Sequence, residues 1–143
     1  MFLDASAIIA IIAREPEEKL LAFRLQSASS PVLVSPLAVF EAVTGLARKK
    51  AKRLGGKGAK TPPDLLKEMR RIVDRFLEEA GAREVIIDGD IGRRAQEACM
   101  TYGAAIGSPA DLNFGDCFAY ACAKAHQTSL LYKGDDFTHT DLA

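Results

Sequence analysis

Short apolar runs alternate with longer helical segments along the whole chain, and this order strongly limits the folds that the chain can adopt. We predict strands at residues 1–3, 32–34, 84–87 and 129–132. A strand–helix–strand order favours a mostly parallel sheet with helical crossovers, and short apolar strands are typical of a sheet covered on both faces. We therefore expect an α/β three-layer sandwich whose central, mostly parallel sheet has four or five short strands.

Capping signals mark several of the predicted helices. These helices span residues 5–13, 17–28, 37–53, 64–80, 91–102 and 113–126. Ser35 and Pro36 form a helix start, with Ser as the cap and Pro at the first position. Pro16 is expected in the first turn of the second helix, and Asp90 is expected to cap the fifth.

Length and composition indicate one folded domain over residues 1–143. Apolar residues make up 48% of the chain and charged residues 27%, which suits a packed core with a hydrated surface. Nineteen basic residues balance nineteen acidic ones, so the net charge says nothing about nucleic-acid or membrane partners. The sequence has no apolar run long enough to cross a membrane and begins without a basic segment typical of a signal peptide.

The cysteines also argue against a secreted scaffold. Cys99, Cys117 and Cys122 are an odd number without CxxC spacing, which disfavours a disulfide framework or a thiolate zinc site. Buried, reduced cysteines fit this pattern better. We expect a cytoplasmic protein with no membrane partner.

Three carboxylates stand in otherwise uncharged surroundings. Asp4, Glu41 and Asp116 each lie in or beside an apolar run near the start of a predicted helix. Taken singly, the two aspartates could be helix caps and the glutamate could face solvent. Asp4 follows a strand, as do Asp135 and Asp136, and the carboxyl ends of parallel strands form the ligand-binding edge of such sheets.

Carboxylates that converge repel one another, and a hard divalent cation relieves that repulsion. Magnesium prefers oxygen ligands, whereas no His or Cys set indicates zinc. The expected chemistry is metal-assisted hydrolysis of a phosphodiester by a metal-activated water.

Four stretches resemble, in order and spacing, motifs of the PIN-domain family, and specifically of the VapC-type toxins of bacterial type II toxin–antitoxin systems. They are MFLDASAIIAIIAREPE, VSPLAVFEAVTGLARK, LNFGDCFAYACAKAH and LLYKGDDFTHTDLA, and the resemblance extends over nearly the whole chain. The resemblance implies a PIN-like fold and an endoribonuclease that depends on Mg²⁺ or Mn²⁺. It also implies inhibition by a cognate VapB-type antitoxin and a homodimeric state.

The same resemblance assigns roles to individual residues. Asp4, Glu41 and Asp116 form the core acidic set, and a fourth acid comes from KGDDF. Asp135 is the closer match by its distance from Asp116, and we place it with Asp4 and Asp116 as a metal ligand. Asp136, directly before the Phe, remains the alternative. Two further polar residues are expected to hydrogen-bond the metal-binding carboxylates, namely Ser6 and Asn113.

One departure from the family concerns the segment before LNFGDC. VapC proteins with this signature commonly carry a basic loop there, whereas residues 103–111 of this chain contain no basic residue. A basic stretch occurs elsewhere, either to attract phosphate or as a solvated helix end. It comprises Arg48, Lys49, Lys50, Lys52, Arg53, Lys57 and Lys60.

Two other functions compete with this interpretation. A phosphatase that uses Asp4 is disfavoured, because haloacid-dehalogenase-like enzymes need a second Asp two residues later and Ser6 stands there. The stronger alternative is a non-catalytic metal- or partner-binding PIN-like module.

Overall fold

The sheet is formed by four parallel strands, each two residues long. The computed structural model describes residues 1–142. The strands are β1 (Phe2–Leu3), β2 (Leu33–Val34), β3 (Arg83–Glu84) and β4 (Leu130–Leu131). They lie in the order β3-β2-β1-β4, with Phe2 paired to Leu33 on one side and to Leu130 on the other.

Six α-helices connect and cover these strands in the described residues. They are α1 (Ala5–Ile12), α2 (Glu18–Gln26), α3 (Pro36–Gly55), α4 (Pro63–Glu79), α5 (Gly89–Tyr102) and α6 (Phe114–Ala125). Two 3₁₀ turns follow at Ala104–Ile106 and Asp136–His139. None of these helices, within residues 1–142, has the length and hydropathy needed to cross a bilayer.

Alternate strand residues point to two separate cores. Leu3, Val34 and Leu131 pack with α1 to α4 on one face of the sheet. Phe2 and Leu130 pack with α5 and α6 on the other face. This period of two along each strand produces the predicted three-layer sandwich, so the expected α/β fold class is confirmed.

The edge strand β3 differs from the prediction. Residues 84–87 were expected to form a covered apolar strand, but pairing occurs at Arg83–Glu84 and both residues are exposed. The ladder is set by Arg83 N donating to Val32 O at 2.9 Å and Val85 N donating to Val34 O at 2.8 Å. Charged, exposed residues on a short edge strand discourage pairing with a second chain.

Two predicted helix starts are also corrected. Asp88, rather than Asp90, caps α5, because its Oδ1 accepts hydrogen bonds from the amides of residues 90 and 91. Pro16 lies outside α2, which begins at Glu18, because the preceding residues form the turn that closes α1. The prediction for Ser35 is confirmed, since its Oγ accepts a hydrogen bond from the amide of residue 38 at 3.2 Å.

The topology has a switch point beside β1. The chain moves from β1 to β2 and β3 in one direction, and then returns across the sheet to place β4 on the other side of β1. Open parallel sheets bind ligands outside the carboxyl ends of the strands at such a point. Asp4 directly follows β1, and the segment 132–135 directly follows β4. Both therefore open into the same crevice.

Candidate functional site

Asp4 occupies the crevice as the N-terminal cap of α1. Its Oδ2 accepts a hydrogen bond from the Ser6 amide at 2.8 Å and a second from the Ser6 hydroxyl. The side chain is almost completely buried, with 4% of the residue exposed. Burial raises the pKa of Asp4 and the charge of Asp136 adds to this effect, whereas the bonds from Ser6 lower it.

Asp116 enters the site through the first turn of α6. Asn113 caps this helix, and its Oδ1 accepts from the amides of Gly115 and Asp116. Asp116 Oδ2 accepts in return from the Asn113 amide at 2.9 Å, which completes a capping box. Burial raises the pKa of Asp116 to about 6, and the charges of Asp4 and Asp136 act in the same direction.

Glu41 reaches the site from α3 and lies against the backbone of α6. A Cβ placed on Gly115 would lie 2.2 Å from Glu41 Oε1, so only glycine fits beneath this carboxylate in its observed position. Within residues 1–142, neither oxygen of Glu41 accepts a hydrogen bond. Burial raises the pKa of Glu41 to about 7, the charges of Asp4 and Asp116 raise it further, and Arg48 opposes them.

The fourth acid is distinguished by its electrostatic influence. The charge of Asp136 raises the pKa of both Asp4 and Asp116. Asp135, which we expected as a metal ligand, is not among the main charges that raise the pKa of either residue. Asp135 instead precedes the 3₁₀ turn that begins at Asp136. We name Asp4, Glu41, Asp116 and Asp136 the carboxylate cluster.

Ser6 links two segments of the site. The Ser6 hydroxyl donates to Asp4 Oδ2. Ser6 Oγ in turn accepts a hydrogen bond from the Lys133 amide at 3.0 Å. Lys133 is in the segment that leads to Asp136. Ser6 therefore holds the acid after β1 close to the segment after β4.

The cluster suits a hard cation in its donor chemistry. All four donors are carboxylates, neighbouring carboxylates raise the pKa of Asp4, Glu41 and Asp116, and in Asp4 and Asp116 one oxygen is used in capping. In the described residues, no three His, Cys, Asp or Glu side chains already share one coordinating position. The donor set therefore fits a hard divalent cation, while convergence of the ligands requires side-chain movement.

Lysines near the carboxylate cluster in sequence form their ion pairs with other acids. Lys49 and Lys50 are paired with Glu15 and Glu68, respectively. Residues 103–111 supply no basic side chain, and they fold into a 3₁₀ turn closed by a bridge between Gly103 and Leu112. Any anion that approaches the cluster therefore meets little fixed positive charge on this side.

The sequence analysis missed the role of Gly115. The glycine stands between Phe114 and Asp116 at the second position of a helix, where it lowers helix propensity and needs a reason. Its lack of a side chain allows α3 and α6 to place Glu41 beside Asp116. That isolated glycine was a usable signal, but only the packing of α3 on α6 explains it.

Comparisons with known proteins agree on one family. Residues 1–142 match the PIN domain. A VapC ribonuclease of Rhizobium meliloti (strain 1021) is 46% identical over 141 residues, covering 99% of this chain and 98% of the relative. Ribonuclease VapC42 of Mycobacterium tuberculosis (strain ATCC 25618 / H37Rv) is 34% identical over 142 residues, covering 99% and 96%.

A solved structure supports the fold independently of close sequence similarity. The crystal structure of VapC20 of Mycobacterium tuberculosis, a toxin that cleaves the sarcin-ricin loop, superimposes with a TM-score of 0.70. The match covers 99% of this chain and 95% of that chain at 15% identity. At this identity the likeness establishes the fold alone.

The raised pKa of Glu41 predicts a pH-dependent stability of the metal-free protein. Its folded pKa of about 7 exceeds its ordinary value of 4.5, so folding favours the neutral acid. The contribution of Glu41 to the free energy of unfolding is fully present below pH 4.5 and is lost as the pH rises through about 7. In EDTA, the Tm difference between Glu41→Gln and wild type should grow in favour of the variant between pH 5 and 8.

Glu84→Gln is the matched control, because Glu84 is exposed on β3. Its Tm difference from wild type should stay constant over the same pH range. A constant difference for Glu41→Gln as well would contradict the buried, like-charge environment assigned to this carboxyl.

Proposed function

The chain belongs to the PIN-domain family, and we propose that it is a VapC-type endoribonuclease toxin that hydrolyses RNA phosphodiester bonds. One observation carries the proposal: four carboxylates from four separate segments meet at the switch point of the sheet, where neighbouring charges raise the pKa of Asp4, Glu41 and Asp116. Such an arrangement disfavours folding without a counter-charge, so it is explained by a ligand. The whole-length similarity to VapC ribonucleases supplies the reaction.

The cofactor in this proposal is Mg²⁺ or Mn²⁺, held by Asp4, Glu41, Asp116 and Asp136. A divalent cation at such a site neutralises charge on the phosphate and lowers the pKa of a nearby water. Ser6 and Asn113 fix the carboxylates of Asp4 and Asp116 through the two helix caps. These bonds orient the donors before any ligand arrives, which reduces the cost of binding.

Residues of the chain also argue for attack by water rather than by a side chain. Burial raises the pKa of Cys117 and of Cys122 to about 11, which keeps both thiols protonated at neutral pH. Ser6 is engaged with Asp4 and Lys133. We assign the orientation of the attacking water to Glu41, whose oxygens, like those of Asp136, are not used in a helix cap among residues 1–142.

The partners follow from this site. RNA is the substrate, and a VapB-type antitoxin is the inhibitor, because an Arg or Lys side chain can replace a cation among carboxylates. We further propose that residues 1–143 act as one domain and that the toxin is a homodimer.

A non-catalytic binding module is the second candidate. It is favoured by residues 103–111, which carry no basic side chain to contact a phosphate. Cleavage assays distinguish the two functions, since a module binds metal or partner without turnover.

Asp116→Asn should abolish RNA cleavage while preserving the fold. The amide oxygen of Asn can still accept from the Asn113 amide, so the capping box survives, but the charge is lost. Initial rates on tRNA, rRNA fragments and single-stranded RNA in Mg²⁺ or Mn²⁺ should fall by more than about a hundredfold. Asp74→Asn, an exposed change on α4, is the control. Cleavage by the Asp116 variant at the wild-type rate would exclude this site.

Asp136→Asn and Asp135→Asn form a matched pair for the fourth acid. The charge of Asp136 raises the pKa of both Asp4 and Asp116, so its variant should lose cleavage by at least about tenfold. The Asp135 variant should retain nearly full activity under the same assay. The reverse result would make Asp135 the ligand, as the spacing from Asp116 suggested.

Gly115→Ala should displace Glu41 without unfolding the protein, because the clash involves only the end of a flexible side chain. Cleavage should fall between about ten- and a hundredfold. Gly92→Ala is the matched control, since a Cβ there meets nothing within 4 Å in helix α5. It should keep activity and gain roughly 0.5–1 kcal/mol of stability. Equal activity of the two variants would show that the position of Glu41 is unimportant.

A further inference from the structure

Glu15 is a largely buried acid outside the carboxylate cluster, and it contacts two lysines from distant segments. Its Oε2 lies 2.6 Å from Lys133 Nζ, and its Oε1 pairs with Lys49. The Glu15 side chain is only 12% exposed. The ion pairs on α4 differ in two respects: they join residues three or four positions apart in sequence, and their side chains are exposed to solvent.

The backbone before Glu15 aims it at these partners. Helix α1 ends with the amide of Glu15 donating to Ala10 O at 2.9 Å and the amide of Arg14 donating to Ile11 O. Arg14 adopts a left-handed conformation, with φ of 54°. This Schellman-type ending reverses the chain and fixes Glu15 beside α1 rather than leaving it in a free loop.

Lys133 is held by both its backbone and its side chain. Its amide donates to Ser6 Oγ at 3.0 Å, while its ammonium contacts Glu15 and lies 3.1 Å from Glu17 Oε2. Asp136 follows only three residues later, after the flexible backbone of Gly134, whose φ is 101°. The contacts of Lys133 therefore restrain the segment that carries Asp136, which we call the Asp136 loop (residues 132–136).

Glu15 also reaches the helix that carries Glu41. Lys49 and Glu41 lie on α3, so one carboxylate connects this helix to the Asp136 loop. The two lysines are thereby engaged by Glu15, and no hydrogen bond or ion pair within residues 1–142 joins either ammonium to the carboxylate cluster. Glu15 therefore connects the two segments that carry Glu41 and Asp136.

We propose that Glu15 is a positioning residue: through Lys133 it holds the Asp136 loop beside Asp4 and so sets the affinity of the carboxylate cluster for a divalent cation. The inference rests on the proposed function, because it assumes that the cluster binds the cation. It assigns the Glu15–Lys133 pair a role in ligand binding in addition to any role in stability.

The test measures Mn²⁺ binding by calorimetry to the metal-free, full-length protein. Glu15→Gln should weaken binding by about tenfold, because the loop loses its anchor and the lysine is released. Lys133→Met should also weaken binding, and Glu15→Gln should add little in the Lys133→Met background, since the Glu15–Lys133 contact is already lost there and only the pair with Lys49 remains to be removed. Lys133→Arg should restore most of the affinity through a retained ion pair.

Glu68→Gln is the matched control. Glu68 also pairs with a lysine of α3, at 2.7 Å, but it has no contact with the Asp136 loop. It should bind Mn²⁺ as wild type does. The proposal would be overturned if Glu15→Gln bound Mn²⁺ with wild-type affinity. It would also be overturned if Glu15→Gln weakened Mn²⁺ binding as much in the Lys133→Met background as in the wild type.

Amide hydrogen exchange separates this inference from the proposed function. Exchange in residues 133–136 should accelerate in Glu15→Gln and in Lys133→Met, with or without Mn²⁺, while exchange in α4 stays unchanged. If wild type and Asp116→Asn bind Mn²⁺ equally, the proposed cation site fails even where loop exchange responds. If only wild type binds and the loop does not respond to Glu15→Gln, the positioning role fails alone. Lys133→Met provides the same test should Glu15→Gln fold poorly.

Discussion

Repulsion among four carboxylates at the carboxyl ends of β1 and β4 is the constraint on which the rest of the site depends. Neighbouring carboxylates raise the pKa of Asp4, Glu41 and Asp116, and no lysine or arginine forms an ion pair with these three acids or with Asp136 in the described chain. A folded state can retain such a cluster only if other interactions offset it. Two apolar cores on opposite faces of the sheet supply that stability.

The acids are accommodated in different ways. Asp4 and Asp116 use one oxygen to satisfy amides at a helix start, so part of their burial is compensated by capping. Glu41 has no such bond, and its pKa of about 7 is the higher of the two values resolved at the site. Structural and functional interpretations of Asp4 and Asp116 are therefore compatible, whereas Glu41 contributes no cap and is best explained by ligand binding.

The sequence predicts the architecture well where a pattern is local. Apolar runs indicate the strands, and Ser35-Pro36 marks the start of α3. Local signals do not distinguish adjacent acids: Asp88 caps α5 although Asp90 was expected, and the sequence leaves both Asp135 and Asp136 open as the fourth acid, whereas the charge of Asp136 raises the pKa of Asp4 and Asp116. These choices depend on where a neighbouring element directs each side chain. The contact between Glu41 and Gly115 is likewise invisible until α3 packs on α6.

A net charge of zero conceals a strong separation of charge. The carboxylates meet at one end of the sheet, while lysines near them are paired with Glu15, Glu17 and Glu68. Surface ion pairs contribute little to stability on average, so their value here lies more in the placement of charge than in free energy. Glu15 engages Lys133, whose amide binds Ser6 Oγ beside Asp4, so this ion pair lies in the segment that joins β4 to Asp136. Its contribution in the proposed role is therefore to the position of that segment.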